Sequence, residues 1–241
     1  MLKPTPGVGE SHQHLYGTSF RRPGVSRRGV LKASAAAAVA GLAGRLTLAF
    51  GQQPPLRATN DQTSGPFYPA QKPTDQDADL TQLSGKDGRA LGQILYVSGK
   101  VLNIRGEPVA GAELEVWQAN AAGRYDHPFD RNPAPLDPNF QGYAAIRTSA
   151  DGSYRLKTVK PGAYPASATS MRPPHIHFDV KGRINRLVTQ MYFEREPLND
   201  KDGILQAAPW KEGLIARYVA PSGGQEPSAV VAVWNIVLVA G

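Results

Sequence analysis

The amino-acid sequence predicts an all-β protein: a single β-sandwich domain with long functional loops, preceded by an export signal. Three observations predict this fold. Short segments of alternating apolar and polar residues recur along the chain, Gly- and Pro-rich turns separate them, and no long segment has a clean helical period. We therefore assign residues 1–52 to a leader and residues 53–241 to the sandwich domain.

The first two strands lie on either side of a turn. "ILYVSGKVLNI" (94–104) is rich in β-branched and aromatic residues, which favour strands, and "RGEP" (105–108) is typical of a turn. In "AELEVWQ" (112–118), apolar residues alternate with Glu113, Glu115 and Trp117. Because successive side chains of a strand point to opposite faces, we expect these three residues on the face away from the core.

The remaining elements follow the same pattern. We predict strands in the segments 140–148, 153–159, 175–180, 186–193 and 229–239. "APWKEGLIARY" (208–218) predicts one short helix. The Pro- and Asp-rich segment 126–139, "DHPFDRNPAPLDPN", predicts a long loop, and long ordered loops in compact domains are often functional.

The leader has the features of an export signal. "SRRGVLK" (26–32) precedes "ASAAAAVAGLAG" (33–44), an apolar run that is shorter than the ~20 residues of a membrane-spanning helix. The paired Arg27 and Arg28 resemble the twin-arginine type, which exports folded proteins. We expect export to the periplasm or the exterior, with no stable membrane span. A surface amphipathic helix with an accidental arginine pair is the alternative.

Charge and cysteine content exclude several functional classes. The net charge is +7, but residues 1–51 contain seven basic residues and one acid, so the remaining chain is nearly neutral. We therefore expect no nucleic-acid partner. The chain has no cysteine, which excludes thiolate metal sites and cysteine nucleophiles.

Two of the five histidines occur together in "MRPPHIHF" (171–178). His175 and His177 are two residues apart, so on a strand they point to the same face, where two adjacent imidazoles suit a metal ion. Pro173 and Pro174 fix the entry to this strand. The alternative is a solvated strand face that carries two histidines by chance.

Two imidazoles do not complete a metal site. His127, Asp126 and Asp179 are available as further ligands, but Tyr125 and Tyr164 lie at predicted strand ends, where loops converge. A phenolate is a hard, charged oxygen donor that suits ferric iron better than zinc or copper(I). The alternative for each tyrosine is a packing role.

Five segments, "GRYDH", "LDPNFQGY", "KPGAYP", "RPPHIHF" and "VTQMYF", occur in this order, and "TSGPFYP" (63–69) precedes them. Together they resemble the intradiol ring-cleavage dioxygenases, most closely the protocatechuate 3,4-dioxygenase branch, from about residue 59 to about residue 200. The resemblance implies a β-sandwich and a non-haem ferric dioxygenase. Such an enzyme cleaves a catechol-type ring between its two hydroxylated carbons and gives a cis,cis-muconate-type product.

The resemblance also implies a cofactor and its ligands. One Fe(III) per chain would be held by Tyr125, Tyr164, His175 and His177. It further implies that Tyr164 leaves the metal when a catechol binds and takes one of its protons. A phenolate is a competent base in that role because the pKa of free tyrosine is near 10.

Further roles follow from the same resemblance. Arg172 would be catalytic and would stabilise negative charge on the ring, and its alternative role is a salt bridge to a nearby acid. Gln190, Trp117, Gly65 and Pro66 would lie near the substrate.

The expected partners are a catechol-type phenolic substrate and dioxygen, and a homo-oligomer stays open. Ala166 follows "PGAYP", where protocatechuate enzymes of the family usually have an aromatic residue, so the ring substituent also stays open. A rival interpretation comes from "VSGKVLNIRGEPVAGAELEVW" (97–117), which resembles transthyretin-like modules. It predicts a secreted β-sandwich binding module without catalysis. A family member that binds iron but no longer turns over is a third interpretation.

Overall fold

Eleven β-strands form most of the regular structure in residues 54–241, the part of the chain that the computed structural model describes. The predicted leader, with its twin-arginine pair, lies outside the described residues. The strands are β1 (Ile94–Asn103), β2 (Glu113–Trp117), β3 (Tyr143–Arg147), β4 (Ser153–Val159), β5 (Tyr164–Ser167), β6 (Ser170–Arg172), β7 (His175–Lys181), β8 (Arg186–Phe193), β9 (Ile215–Val219), β10 (Val230–Val233) and β11 (Ile236–Leu238).

The helical content is small. One α-helical turn, α1 (Gly203–Gln206), lies between two 3-10 helices at Pro197–Lys201 and Lys211–Leu214. The segment 208–218, which was predicted to hold one short helix, contains the 3-10 helix Lys211–Leu214. Only its middle is helical, and its last residues form β9, where Ile215 and Ala216 pair in parallel with β8.

The predicted strand 229–239 is also corrected, because it is two strands, β10 and β11. The backbone leaves the ladder between them. The N–H of Trp234 donates to the carbonyl of Ser98, and the side chain of Asn235 accepts from the N–H of Lys100. Both strands pair in parallel with successive parts of β1.

The strands form a β-sandwich, as predicted. Their hydrogen-bonded order is β11-β1-β10-β9-β8-β7-β2-β3, with β4 paired to β1, while β5 and β6 form a separate two-stranded sheet. Strand β7 lies between β2 and β8, antiparallel to both. It is thus an interior strand with neighbours on both sides, which makes it a rigid base for side chains.

The alternation along β7 separates the core from a second face. Ile176, Phe178 and Val180 are fully buried in the main hydrophobic core, as predicted. His175 and His177 point to the opposite face, which is also covered, so the two histidines are buried rather than solvated. Within residues 54–241, no helix is long and apolar enough to cross a membrane.

Candidate metal centre

A second apolar cluster covers the face of β7 that carries the histidines. Its members are mostly aromatic: Trp117, Ala119, Tyr125, Tyr143 and Tyr164, with Phe67, Tyr68 and Val188 packed against them. The main core is separate, since it contains the opposite faces of β2 and β7. The sequence places aromatic and imidazole side chains on this face, and the fold brings them together.

Four of the sequence-predicted residues surround one point beside this cluster, and we call Tyr125, Tyr164, His175 and His177 the ring of four. The ring centroids are 5.4 Å apart for Tyr125 and Tyr164, 5.5 Å for Tyr164 and His175, 4.9 Å for His175 and His177, and 6.4 Å for Tyr125 and His177. Each of the four residues is at most 6% exposed. Side chains from two sheets and one loop therefore converge on one point.

Local structure fixes each member of the ring. His175 and His177 lie on β7, and Tyr125 lies in the loop after β2, where its backbone N–H donates to the carboxylate of buried Asp130 over 2.7 Å. Tyr164 is the first residue of β5, where the loop after β4 ends, and it pairs with Arg172 of β6.

His175 has one ring nitrogen available for a ligand. Its Nδ1 lies 2.7 Å from the carbonyl oxygen of Pro173, and since a carbonyl only accepts, Nδ1 carries the proton. Nε2 then has a free lone pair, and it lies 3.4 Å from the hydroxyl oxygen of Tyr164. The hydrogen bond to the Pro173 carbonyl fixes the tautomer and the ring orientation, as is typical of metal-binding histidines.

Burial keeps both imidazoles neutral. Burial, together with a smaller effect of the nearby positive charge of Arg172, lowers the pKa of His175 to about 3. Burial likewise lowers the pKa of His177 well below its usual value, with smaller effects from His175 and Arg172. A metal requires neutral imidazole, so the two side chains are already in the ligating form near neutral pH.

The two buried phenols have few hydrogen-bond partners: the Tyr125 hydroxyl has none, and the Tyr164 hydroxyl has the 3.4 Å contact with His175. Burial raises the pKa of Tyr125 well above its usual value, with a further rise from Tyr164, and the Tyr125 hydroxyl has no hydrogen-bond partner. Burial also raises the pKa of Tyr164, while the charge of Arg172 acts in the opposite direction. An unpartnered buried hydroxyl costs about 1–3 kcal/mol, and a bound cation would relieve this by favouring the phenolate.

The donor set fits ferric iron. It consists of two neutral imidazoles and two phenols, the hard oxygen donors that Fe(III) prefers. No group of three or more His, Asp or Glu side chains suited to a metal occurs within residues 54–241, so a multi-ligand site here needs the tyrosines. Among the alternative ligands, Asp179 is held by Arg186 at 2.7 and 2.9 Å, and His127 packs against Phe67 and Phe129.

Arg172 lies beside the ring of four and is itself buried. Its Nε donates to the carboxylate of Asp202 over 2.9 Å, and its Nη2 donates to Gln190 over 2.7 Å and to the hydroxyl of Tyr192 over 3.0 Å. The salt bridge that sequence reasoning gave as an alternative therefore exists. It does not exclude the charge-stabilising role, which stays a prediction.

The residues predicted near the substrate surround this site in different ways. Trp117 is buried and stacks on His177, with ring centroids 4.9 Å apart and planes 6° apart. Gln190 is fully buried and donates to the carbonyl of Thr63 over 2.7 Å. Gly65 has a φ of +65°, and a Cβ there would come within 3.3 Å of the His177 ring, while Pro66 is exposed. Substrate contact by these four residues stays a prediction.

Sequence reasoning missed several residues of the site. Asp202 pairs with Arg172 and also caps α1, and the ring of Tyr192 stacks beside His175 at 5.8 Å. Phe67 contacts both tyrosines of the ring. An aspartate just before a helical turn is a capping signal that could have singled out Asp202, and "TSGPFYP" contained Phe67.

Comparison with known proteins gives a consistent result. A family model described as "Dioxygenase" matches residues 63–240. The chain is 45% identical over 170 residues to the protocatechuate 3,4-dioxygenase beta chain of Burkholderia cepacia, covering 68% of this chain and 72% of that one. It is 39% identical over 144 residues to catechol 1,2-dioxygenase 1 of Acinetobacter lwoffii, covering 54% of this chain but only 44% of that one.

Solved structures show similar folds. The dioxygenase domain of a dioxygenase carbohydrate-binding protein fusion from Streptomyces sp. SirexAA-E matches with a TM-score of 0.59 and 27% identity, over 77% of this chain and 100% of that one. The 3-chlorocatechol 1,2-dioxygenase of Rhodococcus opacus 1CP matches with a TM-score of 0.59 and 21% identity, over 83% and 76%. The second likeness concerns the fold alone.

Proposed function

Because the chain belongs to the intradiol ring-cleavage dioxygenase family, we propose that it is an Fe(III) enzyme that cleaves a catechol-type ring between the two hydroxylated carbons. The product would be of the cis,cis-muconate type. The observation that carries this proposal is the closed ring formed by Tyr125, Tyr164, His175 and His177. A transthyretin-like binding module would not need two neutral imidazoles and two unionised phenols buried around one point.

The family depends on non-haem iron, and this chain supplies a ligand set for one ion. His175 and His177 would ligate through neutral imidazoles, and Tyr125 and Tyr164 as phenolates. Bound ferric iron would supply the Lewis acidity that lowers the pKa of the catechol hydroxyls and makes the ring reactive toward dioxygen.

Tyr164 is the member of the set best placed to handle a proton. It lies on the two-stranded sheet of β5 and β6, whereas both histidines lie on an interior strand of the main sheet. The hairpin has fewer neighbours to hold it, so the Tyr164 side chain can move with less disruption than an imidazole of β7. A tyrosine oxygen that accepts a proton from a catechol hydroxyl is a matched base, because both are phenols.

Arg172 would orient the site and stabilise negative charge on the substrate ring. Hydrogen bonds hold the guanidinium in place. Asp202, Gln190 and Tyr192 accept from it, and Gln190 in turn donates to the carbonyl of Thr63. Its charge also lowers the pKa of both histidines, so its field extends to the ring of four. A preorganised donor of this kind favours a transition state in which negative charge develops.

We also propose that the chain is exported through the twin-arginine route to the periplasm or the exterior. The support is the sequence alone, namely Arg27 and Arg28 before a short apolar run. Export after folding would suit a protein whose metal is inserted in the cytoplasm.

The proposed reaction is tested with iron-loaded protein and catechol. We expect one molecule of dioxygen consumed per catechol, and a ring-opened dicarboxylic acid as the product, identified by mass and NMR. A ring-opened aldehyde acid would mean cleavage outside the two hydroxylated carbons and would contradict the proposal. Iron-loaded protein that takes up no oxygen with any catechol would indicate a member that binds iron without turnover.

A further inference from the structure

Three aromatic residues outside the ring of four lie beside its members. Trp117 beside His177 and Tyr192 beside His175 are buried. Phe67 is only partly buried, and its ring lies 4.7 Å from Tyr125 and 6.0 Å from Tyr164, between centroids. Phe67 is therefore the least buried of the three aromatic residues beside the ring of four.

The aromatic surface continues outward from Phe67 along the loop 126–139. The ring of His127 lies 5.7 Å from Phe67, and the ring of Phe129 lies 5.4 Å from His127. These separations fall within the ~4.5–7 Å range of favourable aromatic contacts. Phe129 is 72% exposed, so a phenyl side chain at the outer end of this series lies in water.

The loop conformation that exposes Phe129 is fixed by hydrogen bonds. The backbone N–H of Phe129 donates to Nδ1 of His127 over 3.2 Å, and the N–H of Asp130 donates to the carbonyl of His127 over 3.0 Å. The carboxylate of Asp130 in turn accepts from the backbone of Tyr125. The backbone that carries the exposed ring is thus tied by hydrogen bonds to the backbone of Tyr125.

The charge of Arg172 does not favour an anionic ring substituent. Arg172 of β6 lies beside the ring of four, where it pairs with Tyr164 of β5. Its guanidinium is already paired with Asp202, and both side chains are buried. A ring carboxylate would compete with that carboxylate for the same cation, and such like-charge contact is unfavourable.

From these observations we propose that Phe67, His127 and Phe129 form an aryl-binding strip outside the metal centre. The strip would take an uncharged aromatic substituent of the catechol, so the preferred substrates would be aryl-substituted catechols rather than catechol carboxylates. This inference rests on the proposed function, since it names the substrate class of the same site.

The test compares 4-phenylcatechol, unsubstituted catechol and 3,4-dihydroxybenzoate in the iron-loaded protein. We expect the highest kcat/KM for 4-phenylcatechol. Phe129→Ala should lower kcat/KM for 4-phenylcatechol by roughly 3- to 10-fold, the range of one aromatic contact. It should leave kcat/KM for catechol unchanged, because catechol has no aryl substituent. Leu136→Ala is the matched control, because Leu136 is an exposed apolar residue of the same loop that is not among the three residues of the strip. Leu136→Ala should change kcat/KM for neither substrate.

A second measurement separates this inference from the proposed function. Calorimetric titration with 4-phenylphenol, which has no second hydroxyl for ring cleavage, reports binding alone. If no catechol is turned over but Phe129→Ala still weakens 4-phenylphenol binding, the proposed reaction is wrong and the strip stands. If Phe129→Ala and Leu136→Ala have the same effect on both substrates and on this binding, or if 3,4-dihydroxybenzoate is the best substrate, the aryl-binding strip is overturned.

Discussion

The hydroxyl oxygen of Tyr164 lies 3.4 Å from Nε2 of His175, although the two residues belong to different sheets. His175 is fixed by its neighbours in β7 and by the Pro173 carbonyl, whereas Tyr164 lies on a short hairpin. The contact therefore joins a residue on an interior strand of the main sheet to one on a separate two-stranded sheet, and we expect the two to respond differently to substitution.

Substitution of single ligands should separate iron binding from turnover. His175→Ala or His177→Ala should lose iron, because no neighbour can replace an imidazole on an interior strand. Tyr164→Phe should keep most of the iron, since three protein ligands remain, but should lose roughly 10²–10⁴-fold in kcat with the base. Tyr125→Phe should weaken both iron binding and the visible absorption of the bound iron. Iron content measured beside catechol turnover checks each variant.

Tyr143→Phe is a matched control for the tyrosine variants. Tyr143 is buried in the same aromatic cluster and its hydroxyl also lacks a hydrogen-bond partner, but it is not part of the ring of four. It should keep both iron and turnover. Wild-type turnover in Tyr164→Phe would move the base to another residue, and Tyr125 would be the first to test.

Arg172 should prove both structural and functional, and a double variant separates the two roles. Arg172→Met leaves Asp202 buried without its cation and should lower the free energy of unfolding by about 3–5 kcal/mol. Adding Asp202→Asn removes that charge but keeps a side-chain oxygen to cap α1, so most of the stability should return. Turnover should stay low in both proteins. Full turnover in the stable double variant would leave Arg172 only the structural role.

Glu115 should make stability depend on pH in the acid range. Burial would raise its pKa, but hydrogen bonds from Tyr68, Lys181 and Lys72 outweigh it and lower the pKa to about 2, from a usual value of 4.5. As pH falls, the Glu115 carboxylate is therefore protonated in the unfolded chain before it is protonated in the folded protein. The stabilisation is present above pH 4.5 and is lost as pH falls from 4.5 to 2.

Glu115→Gln measures this contribution directly. It should lower the free energy of unfolding at pH 7 by about 1–3 kcal/mol, the range for charge-assisted hydrogen bonds, and the difference should shrink toward pH 2. Glu113→Gln is the control, because the ion pair of Glu113 with Arg147 is exposed and worth about 1 kcal/mol or less. A difference that does not change with pH would contradict the role of the carboxylate.

Replacing Arg27 and Arg28 together with Lys should leave folded precursor in the cytoplasm. Lysine keeps the positive charge of the leader, so a loss of export would report recognition of the arginine pair itself. The measurement is the distribution of the chain between cytoplasmic and exported fractions. Unchanged export would show that another signal is in use.

The two faces of β7 could be predicted from the sequence because successive side chains of a strand alternate strictly between faces. The spacing of His175 and His177 placed both imidazoles on one face of β7, with Ile176 in the core, and the structure confirms this. The segments 153–159 and 186–193 form strands with the predicted bounds, since both have clear patterns between turn residues. The resemblance, rather than the pattern, supplied the two tyrosines.

The rest depended on contacts between distant parts of the chain. Asp202 lies 30 residues beyond Arg172, and no local pattern links an aspartate to an arginine across that separation. The parallel pairing that makes β9 a strand is likewise non-local, so 208–218 suggested a helix. Phe67 belongs to a segment without regular secondary structure, and only the fold places it against Tyr125.

Metal analysis and the visible spectrum of the purified holoprotein test the central claim most directly. If Tyr125, Tyr164, His175 and His177 hold ferric iron, the protein should contain about one iron per chain. It should also be red-brown, because phenolate-to-iron charge transfer absorbs visible light, and the colour should change without vanishing in Tyr164→Phe. A colourless protein whose firmly bound metal is zinc would contradict the assignment of the two tyrosines as ligands.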